Sequence, residues 1–473
     1  MASSEKTKYL MKNTGILTVT NFSSKILIFL LVPLYTSVLS TEDYGIYELV
    51  IATIHLLFPV LTLNICDATM RFAMDKGEDK ESIVSCSFKI IVCGSAVMGL
   101  LLLGNHYLGL WRDILNYEIF IFLYYVSYVF NQFTVQLAKG LEKVKQMGIA
   151  GVVGTIATIV FNVLFLLVFD FELPGFFLAY TIGQMIPTIY LAIVTRVWKN
   201  ISFTVSKETQ HKMVVYAVPL IATYLGWWVN SGSDKYVVAL ICGVASSGLL
   251  SVAYKIPQII NTLHQIFIQA WQLSAIKEMD SKDSDKFYQK TFIYLNAIMC
   301  GVCSLLILGN RMIAHFLFAK GFFEAWQYVP FLLVSSVINS SAGHIGAILI
   351  AKKDSKSLGK SALIGAVCNI VLNVFLVYLI GIQGATIATV ISSVIIYVSR
   401  RRSIGEVIIS VEYPYVIFSW LILFAEAIID IYFGSYLFTG ICVIGIIIVY
   451  RKSFVVLCKK CIVFALEFLK HPQ

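Results

Sequence analysis

Charged residues are scarce in this chain of 473 residues, since Asp, Glu, Lys and Arg together make up 13% of it. A soluble globular domain has roughly 25% of them. Hydrophobic residues reach 58% instead, and they gather in runs of about 20 residues, the length that crosses a bilayer as a helix. This composition excludes a soluble protein and predicts an all-α integral membrane protein with many spans.

Other patterns are missing as well. There are no segments of about ten residues with the alternating hydrophobicity of membrane β-strands, and no GxxxxGK[ST] loop that would bind a nucleotide. The start, MASSEKTKYLMK, leads directly into a long apolar run, without the short core and cleavage site of a leader peptide.

Because the nucleotide-binding loop is missing, we expect no cofactor and no ATPase activity. If transport is active, an H⁺ or Na⁺ gradient would then be its energy source.

The ten cysteines are scattered, mostly within apolar segments. Cys300/Cys303 and Cys458/Cys461 have CxxC spacing, but neither pair has a second pair at the distance that a zinc site requires. We interpret them as small buried residues and expect no metal site and no disulfide.

Hydropathy predicts about fourteen transmembrane helices. They lie at roughly 12–38, 44–66, 84–104, 117–138, 148–169, 174–195, 213–242, 247–276, 291–309, 326–351, 361–380, 383–399, 413–431 and 433–450. Of the 36 Lys and Arg residues, 30 fall in the N-terminus, every second loop and the C-terminal tail. Because cytoplasmic loops are rich in Lys and Arg, both termini should be cytoplasmic.

An internal repeat divides the chain. LLLGN at 101–105 returns as LILGN at 306–310, and VFNVLFLLVF at 160–169 returns as VLNVFLVYLI at 371–380. Repeats in the same direction with six helices each predict two parallel six-helix bundles around a central cavity. We assign residues 1–200 to the first bundle, 201–402 to the second, and 403–473 to two extra helices and an amphipathic cytoplasmic tail.

A polar stripe crosses the predicted helix 247–276. Its members recur at alternating spacings of four and three residues: Ser251, Lys255, Gln258, Thr262, Gln265, Gln269 and Gln272. Residues at these spacings share one helix face. Unpaired polar groups are costly in hydrocarbon, so this face should line a cavity or contact protein.

Three cations lie well inside predicted helices, away from their ends: Lys25, Lys235 and Lys255. Such residues are functional candidates, because each costs about 2.5–3.5 kcal/mol near the bilayer centre. They could bind an anion, or Asp234 could pair with Lys235 or Lys255 and hold the second bundle together. Asp234 and Glu48 are also the candidate carboxylates for ion coupling.

Amide and hydroxyl groups accompany these lysines. Asn21, Tyr254, Gln258, Gln265 and Gln269 could bind sugar hydroxyls. Hydrogen bonding between helices is an equally good interpretation of each of them.

Two stretches then resemble a known family. NFSSKILIFLLVPLYTSVLSTEDYGIYE (21–48) and VPLIATYLGWWVNSGSDKYVV (218–238), with GLLSVAYKIPQIINTLHQIFIQAWQ (248–272), resemble the Wzx-type polysaccharide flippases of the multidrug/oligosaccharidyl-lipid/polysaccharide (MOP) superfamily. The resemblance implies transfer of undecaprenyl-pyrophosphate-linked oligosaccharides across the bacterial plasma membrane. It also implies a V-shaped cavity that opens alternately to either side, with Lys25, Lys235 and Lys255 as the cations that hold the substrate.

The expected partners are this lipid-linked substrate, membrane lipids, a polysaccharide polymerase and a chain-length regulator, but no nucleic acid. Two alternatives stay within transport, a peptidoglycan-precursor flippase and a drug exporter related to the MATE proteins. The excess of internal lysine argues against a cationic cargo. A membrane glycosyl polymerase is the alternative from another class, but the outer loops are too short for one, and we expect no enzyme.

Overall fold

The computed structural model describes residues 29–75, 79–202, 206–277, 284–352, 354–404 and 413–459. Throughout these ranges the regular structure is helical, without a strand. The all-α prediction is therefore confirmed.

Contacts divide the chain into two units, Met1–Gly232 and Ser233–Gln473. The division falls within α8 (Lys207–Cys242). The first unit contains α1 (Val32–Val38), α2 (Thr41–Leu61), α3 (Ile65–Ala73), α4 (Lys80–Leu108), α5 (Glu118–Gly140), α6 (Val144–Val163), α7 (Glu172–Thr195) and the beginning of α8. The six-helix bundles with a boundary at 200 stay a prediction, because grouping by contacts does not test a sequence repeat.

The second unit continues from the end of α8. It contains α9 (Val244–Ala253), α10 (Gln258–Lys277), α11 (Ser284–Leu308), α12 (Asn310–Leu317), α13 (Val329–Ala351), α14 (Ser355–Ile380), α15 (Ile382–Ile404), α16 (Tyr413–Ile428), α17 (Tyr436–Val449) and α18 (Arg451–Lys459). Single π-helical turns extend α6 to Val168 and α16 to Phe433.

Aspartates begin two of the helices that follow basic loops. Asp79 precedes α4 and accepts from the Ser82 hydroxyl and from the backbone N–H groups of Glu81 and Ser82. These bonds, with that of the Ser82 hydroxyl first, lower the pKa of Asp79. Asp354 caps α14 in the same way, and this satisfies N–H groups that have no partner within a helix.

In the described part of the chain, nine helices are long and apolar enough to cross a membrane, or up to ten if α17 and α18 count as one bent span. Every predicted helix from the second to the fourteenth coincides with one or two helices of the structure. The count of fourteen stays a prediction, and most of the first predicted helix lies outside the described residues.

Two predicted spans are broken. The second divides into α2 and α3, because Leu63 and Asn64 adopt left-handed conformations with φ of 50° and 51°. The eighth was expected as one helix over 247–276, but α9 ends at Ala253 and α10 begins at Gln258. Pro257 has no N–H group to continue the helix.

The break in the eighth span corrects the prediction of one continuous polar stripe. Ser251 lies on α9, Lys255 lies in the turn, and the five other members begin with Gln258 on α10. Ser251 and Thr262 are buried, whereas Gln258 and Gln265 are exposed. The stripe is therefore not a single face in a single environment.

The helix pairs α6/α7 and α14/α15 each approach closely at a glycine. In the pair α6/α7, a Cβ on Gly154 would lie 3.0 Å from Pro187. In the pair α14/α15, Gly365 lies 211 positions after Gly154, and Ile396 lies 209 positions after Pro187. A Cβ on Gly365 would lie 2.2 Å from the Ile396 side chain. Small residues let helices approach closely in a membrane, and both pairs use one at the same position.

The C-terminal helices α16 and α17 pack against α11 through buried polar side chains. Cys300 on α11 lies 3.6 Å from the Ser419 hydroxyl, which is 3.0 Å from the Tyr450 hydroxyl. Beyond Tyr450 the chain bends by 72° into α18. An interfacial tail from 453 to 470 stays a prediction, because residues beyond 459 are outside the described residues.

Gly384 provides a test of the close packing between α14 and α15. A Cβ at this position would lie 2.2 Å from the carbonyl oxygen of Leu376, a backbone atom that cannot move aside easily. Overpacking of this kind costs about 1–3 kcal/mol. We expect Gly384→Ala to lower the midpoint of thermal unfolding in detergent.

Gly440→Ala on α17 is the matched control, since no heavy atom of the described residues lies within 4 Å of its added Cβ. This control should unfold at the wild-type temperature or slightly above it, because Ala favours helices more than Gly does. Equal unfolding temperatures for Gly384→Ala and wild type would contradict the close packing.

Candidate functional site

Asp234 lies on α8, buried within the second unit at 4% exposure. Its Oδ1 accepts a 2.7 Å hydrogen bond from the Asn373 amide. Its Oδ2 accepts from the Tyr254 hydroxyl at 2.7 Å and from the Thr389 hydroxyl at 3.0 Å. These three donors offset the cost of burying the carboxyl group and join α8 to the turn after α9, to α14 and to α15.

The hydrogen bonds continue beyond the first donors. The Asn373 amide also donates to Asn369 Oδ1 at 3.0 Å, and the Asn369 amide lies 3.4 Å from the Ser392 hydroxyl. This Asp234 cluster therefore connects three buried positions of α14 and α15. Networks of this kind hold helices at one mutual position when each member has a partner.

Tyr254 was predicted to contact substrate, and its hydroxyl is bound to Asp234. Lys235 is half-buried and close enough to Asp234 for electrostatic attraction. Lys255 is half-buried in the turn between α9 and α10. The structure thus brings Asp234, Lys235 and Tyr254 together, which agrees with a structural role for Asp234 and leaves anion binding by the lysines as a prediction.

The other predicted site residues are dispersed. Gln258 and Gln265 are exposed on α10. Lys25, Asn21 and the side chain of Gln269 lie outside the described residues.

Glu48 occupies a buried position of the first unit, on α2, and is 6% exposed. Its Oε1 accepts a 2.9 Å hydrogen bond from Tyr44, one turn before it. The ring of Tyr47 lies 4.3 Å from that of Phe176, and the hydroxyls of Tyr35 and Tyr180 are 3.3 Å apart. An aromatic group rich in tyrosine therefore surrounds this second predicted coupling residue.

Asp67, in the first turn of α3, is a polar centre that the sequence analysis missed. Its Oδ1 accepts from Gln136 at 2.7 Å, and its Oδ2 accepts from Asn64 at 3.1 Å and from the Tyr224 hydroxyl at 2.9 Å. The acid lies one residue beyond the predicted second helix, so it was assigned to a loop. An acidic residue so close to an apolar run was the available signal.

Two further acids, Glu426 and Asp430, were missed on α16. Both are buried. Their signal was plain, since they interrupt the apolar run FAEAIID of the thirteenth predicted helix.

Comparison with known proteins identifies the family. Residues 10–272 match the family described as polysaccharide biosynthesis protein. The chain belongs to this family. No curated protein sequence matches the chain.

Several solved structures share the fold. This chain has a TM-score of 0.66 to the lipid II flippase MurJ in an inward closed conformation. The two are 16% identical over 94% of this chain and 100% of that one. A multidrug resistance MATE family transporter of the MOP superfamily, inward-facing, also gives 0.66, at 14% identity over 82% and 98%.

A MOP superfamily transporter from Pyrococcus furiosus gives a TM-score of 0.52, at 13% identity over 84% of this chain and 93% of that one. Identities this low show the fold alone. The chain is therefore a multi-pass membrane protein of the polysaccharide biosynthesis family, and its fold is that of these transporters.

The Asp234 cluster can be tested through its stability. Asp234→Leu keeps a similar size but removes the acceptors of Asn373 and Tyr254. Each buried donor left without a partner costs about 1–3 kcal/mol. We expect the midpoint of thermal unfolding in detergent to fall clearly for this variant.

Asp234→Asn is the matched control, because its carbonyl can still accept from Asn373 and the hydroxyls of Tyr254 and Thr389 can turn to accept from its NH₂ group. It should unfold closer to the wild-type temperature than Asp234→Leu does. If Asp234→Leu is as stable as wild type, the cluster does not hold these helices.

Proposed function

We propose that this transporter is a Wzx-type flippase, which moves undecaprenyl-pyrophosphate-linked oligosaccharides across the bacterial plasma membrane by alternating access. The observation that carries the proposal is the match of residues 10–272 to the polysaccharide biosynthesis family. The transporter fold supports it. The product would supply the synthesis of a surface polysaccharide.

The chemistry of the substrate agrees with the residues inside the spans. A diphosphate carries two or more negative charges, and lysine ammonium groups bind such a ligand as point charges without a fixed fork geometry. Lys235 and Lys255 are half-buried rather than fully enclosed. Together with Lys25, they are the residues that we propose for binding the anionic head group.

Neutral polar side chains suit the remainder of the head group. Gln258 and Gln265 are exposed on α10, and an amide both donates and accepts hydrogen bonds. We propose that these glutamines, with Asn21 and Gln269, contact sugar hydroxyls. Tyr254 would contribute indirectly, because its hydroxyl orients toward Asp234.

One alternative function has its own support. The similar structure that covers the largest share of this chain among those described above carries the name lipid II flippase, which favours a peptidoglycan precursor as cargo. Both substrates combine a polyprenyl chain, a diphosphate and sugars, so the same lysines would serve either. A cationic drug is disfavoured by these internal lysines.

The setting follows from the same proposal. Transport would be driven by an H⁺ or Na⁺ gradient, and Asp234 and Glu48 are candidate carboxylates for binding the coupling ion. Both termini would be cytoplasmic, and a polysaccharide polymerase and a chain-length regulator would act on the transported product. We propose no enzymatic activity for the chain itself.

Replacement of Lys25 tests the function in cells that depend on this protein for surface polysaccharide. Lys25→Ala should abolish most of the surface polysaccharide, and the lipid-linked precursor should accumulate on the cytoplasmic side. Lys25→Arg should retain more activity than Lys25→Gln, because the charge binds the diphosphate. Surface polysaccharide and precursor are measured together with the amount of protein in the membrane.

Lys360→Ala is the matched control, since this lysine is exposed near the start of α14; it should leave surface polysaccharide unchanged. Wild-type levels of surface polysaccharide in a Lys25→Ala, Lys255→Ala double variant would overturn the cationic substrate site.

A further inference from the structure

A buried carboxyl group outside the Asp234 cluster lies in the C-terminal addition. Glu426 is on α16, within the apolar stretch Tyr415–Phe433 that is long enough to cross a membrane, and it is 0% exposed. Its Oε2 accepts a 2.6 Å hydrogen bond from the Ser304 hydroxyl on α11. In the described part of the chain, Oε1 has no hydrogen-bond partner. Half of this carboxyl group is therefore buried and unpaired.

Asp430, one turn further along α16, is held quite differently. Its Oδ2 accepts a 2.7 Å hydrogen bond from the Asn310 amide. Arg311 donates to the Asp430 backbone carbonyl at 2.7 Å, and its Nε lies 3.6 Å from Asp430 Oδ1. The same guanidinium lies 4.1 Å above the ring of Trp326. The charge of Arg311 is thus directed toward Asp430.

Few ionisable side chains are close enough to Glu426 for an electrostatic interaction. They are Asp430 on α16 itself, Cys303 on α11 and Cys442 on α17, and Asp430 in turn interacts with Arg311 on α12. Arg311 is the one cation in this set of described residues, and it pairs with Asp430.

The helix α13 also packs on α16. Its ionisable side chain, His344, stacks instead on Trp271 with ring centroids 4.2 Å apart. An ionised Glu426 would therefore be a buried charge without a counter-charge, which is unfavourable in a low-dielectric interior. The neutral, protonated form of Glu426 avoids this cost.

We propose that Glu426 is the proton-binding site through which an H⁺ gradient drives transport, and that Asp430 passes protons to it from the outer face. This inference rests on the proposed transport function. The predicted topology puts the Asp430 end of α16 outside, and the Arg311 side chain there is 31% exposed. Four residues of helix rise by about 6 Å, a separation that one water molecule can bridge.

The transfer balances when Glu426 first gives up its proton. The O–H bond of Glu426 breaks, the proton passes to water on the cytoplasmic side, and a carboxylate remains. A proton from the outer water then binds the Asp430 carboxylate. The O–H bond of Asp430 breaks, an O–H bond forms at Glu426 Oε1, and Asp430 regains its negative charge beside Arg311. A purely structural link to Ser304 would need only one acceptor, which a glutamine also provides.

Infrared spectroscopy tests the protonated state directly, without substrate. Purified wild-type protein at neutral pH should show the C=O absorption of a protonated carboxyl group that is absent from Glu426→Gln. Glu426→Asp, which retains an acid, should show this absorption at a shifted frequency, and it serves as the second variant if Glu426→Gln does not fold. Identical wild-type and Glu426→Gln spectra in this region would overturn the proposal.

Coupling is tested in proteoliposomes that contain a fluorescent undecaprenyl-pyrophosphate oligosaccharide. The ratio of flipping rates with and without a pH gradient should exceed one for wild type and fall to one for Glu426→Gln. Glu324→Gln, a change at an exposed residue between α12 and α13, should keep the wild-type ratio.

A Glu426→Gln variant that still responds to the pH gradient, or a wild type that flips substrate without responding to it, would overturn the proton site. A wild type that flips no substrate at all would instead contradict the proposed function, and the infrared result would still decide whether Glu426 holds a proton.

Discussion

The structure depends on hydrogen bonds between polar side chains that are buried among the helices, where little water is available to bind them. Asp234 shows how this constraint is met, since three hydrogen bonds from Asn373, Tyr254 and Thr389 converge on one carboxyl group. In a bilayer, a donor or acceptor that lost such a bond would be left unpaired in hydrocarbon. The position of Asp234 relative to α14 and α15 is consequently determined by polar contacts as well as by apolar packing.

Corresponding positions of the two predicted repeats hold the same residue in different surroundings. Asn162 and Asn373 are 211 positions apart and both are fully buried. The Asn162 amide donates to the backbone carbonyl of Thr158, whereas that of Asn373 donates to Asp234 and Asn369. Both positions hold a buried amide, and the one in the second unit lies beside a buried acid.

The sequence predicted the all-α membrane fold and the positions of most spans, because long apolar runs and basic loops depend on local composition. The breaks were not predictable in the same way. Pro257 is visible in the sequence, but a proline can either kink a helix or interrupt it. The left-handed turn at Asn64 depends on its surroundings in the fold. The spacing of Ser251 and Gln258 puts them on one helix face only if the helix is continuous between them. Asp67 accepts hydrogen bonds from Gln136 and Tyr224, which are 69 and 157 positions away in the sequence. No local sequence pattern indicates such pairs.

Reconstitution tests most directly the proposal that this protein carries a lipid-linked oligosaccharide across the membrane. Purified protein is incorporated into liposomes together with a labelled undecaprenyl-pyrophosphate oligosaccharide, and an impermeant glycosidase is added outside. The enzyme should digest nearly all of the label when the protein is present and only the outer-leaflet share when it is absent. Digestion limited to the outer-leaflet share in both samples would contradict the account, and digestion of labelled lipid II alone would favour the peptidoglycan precursor instead.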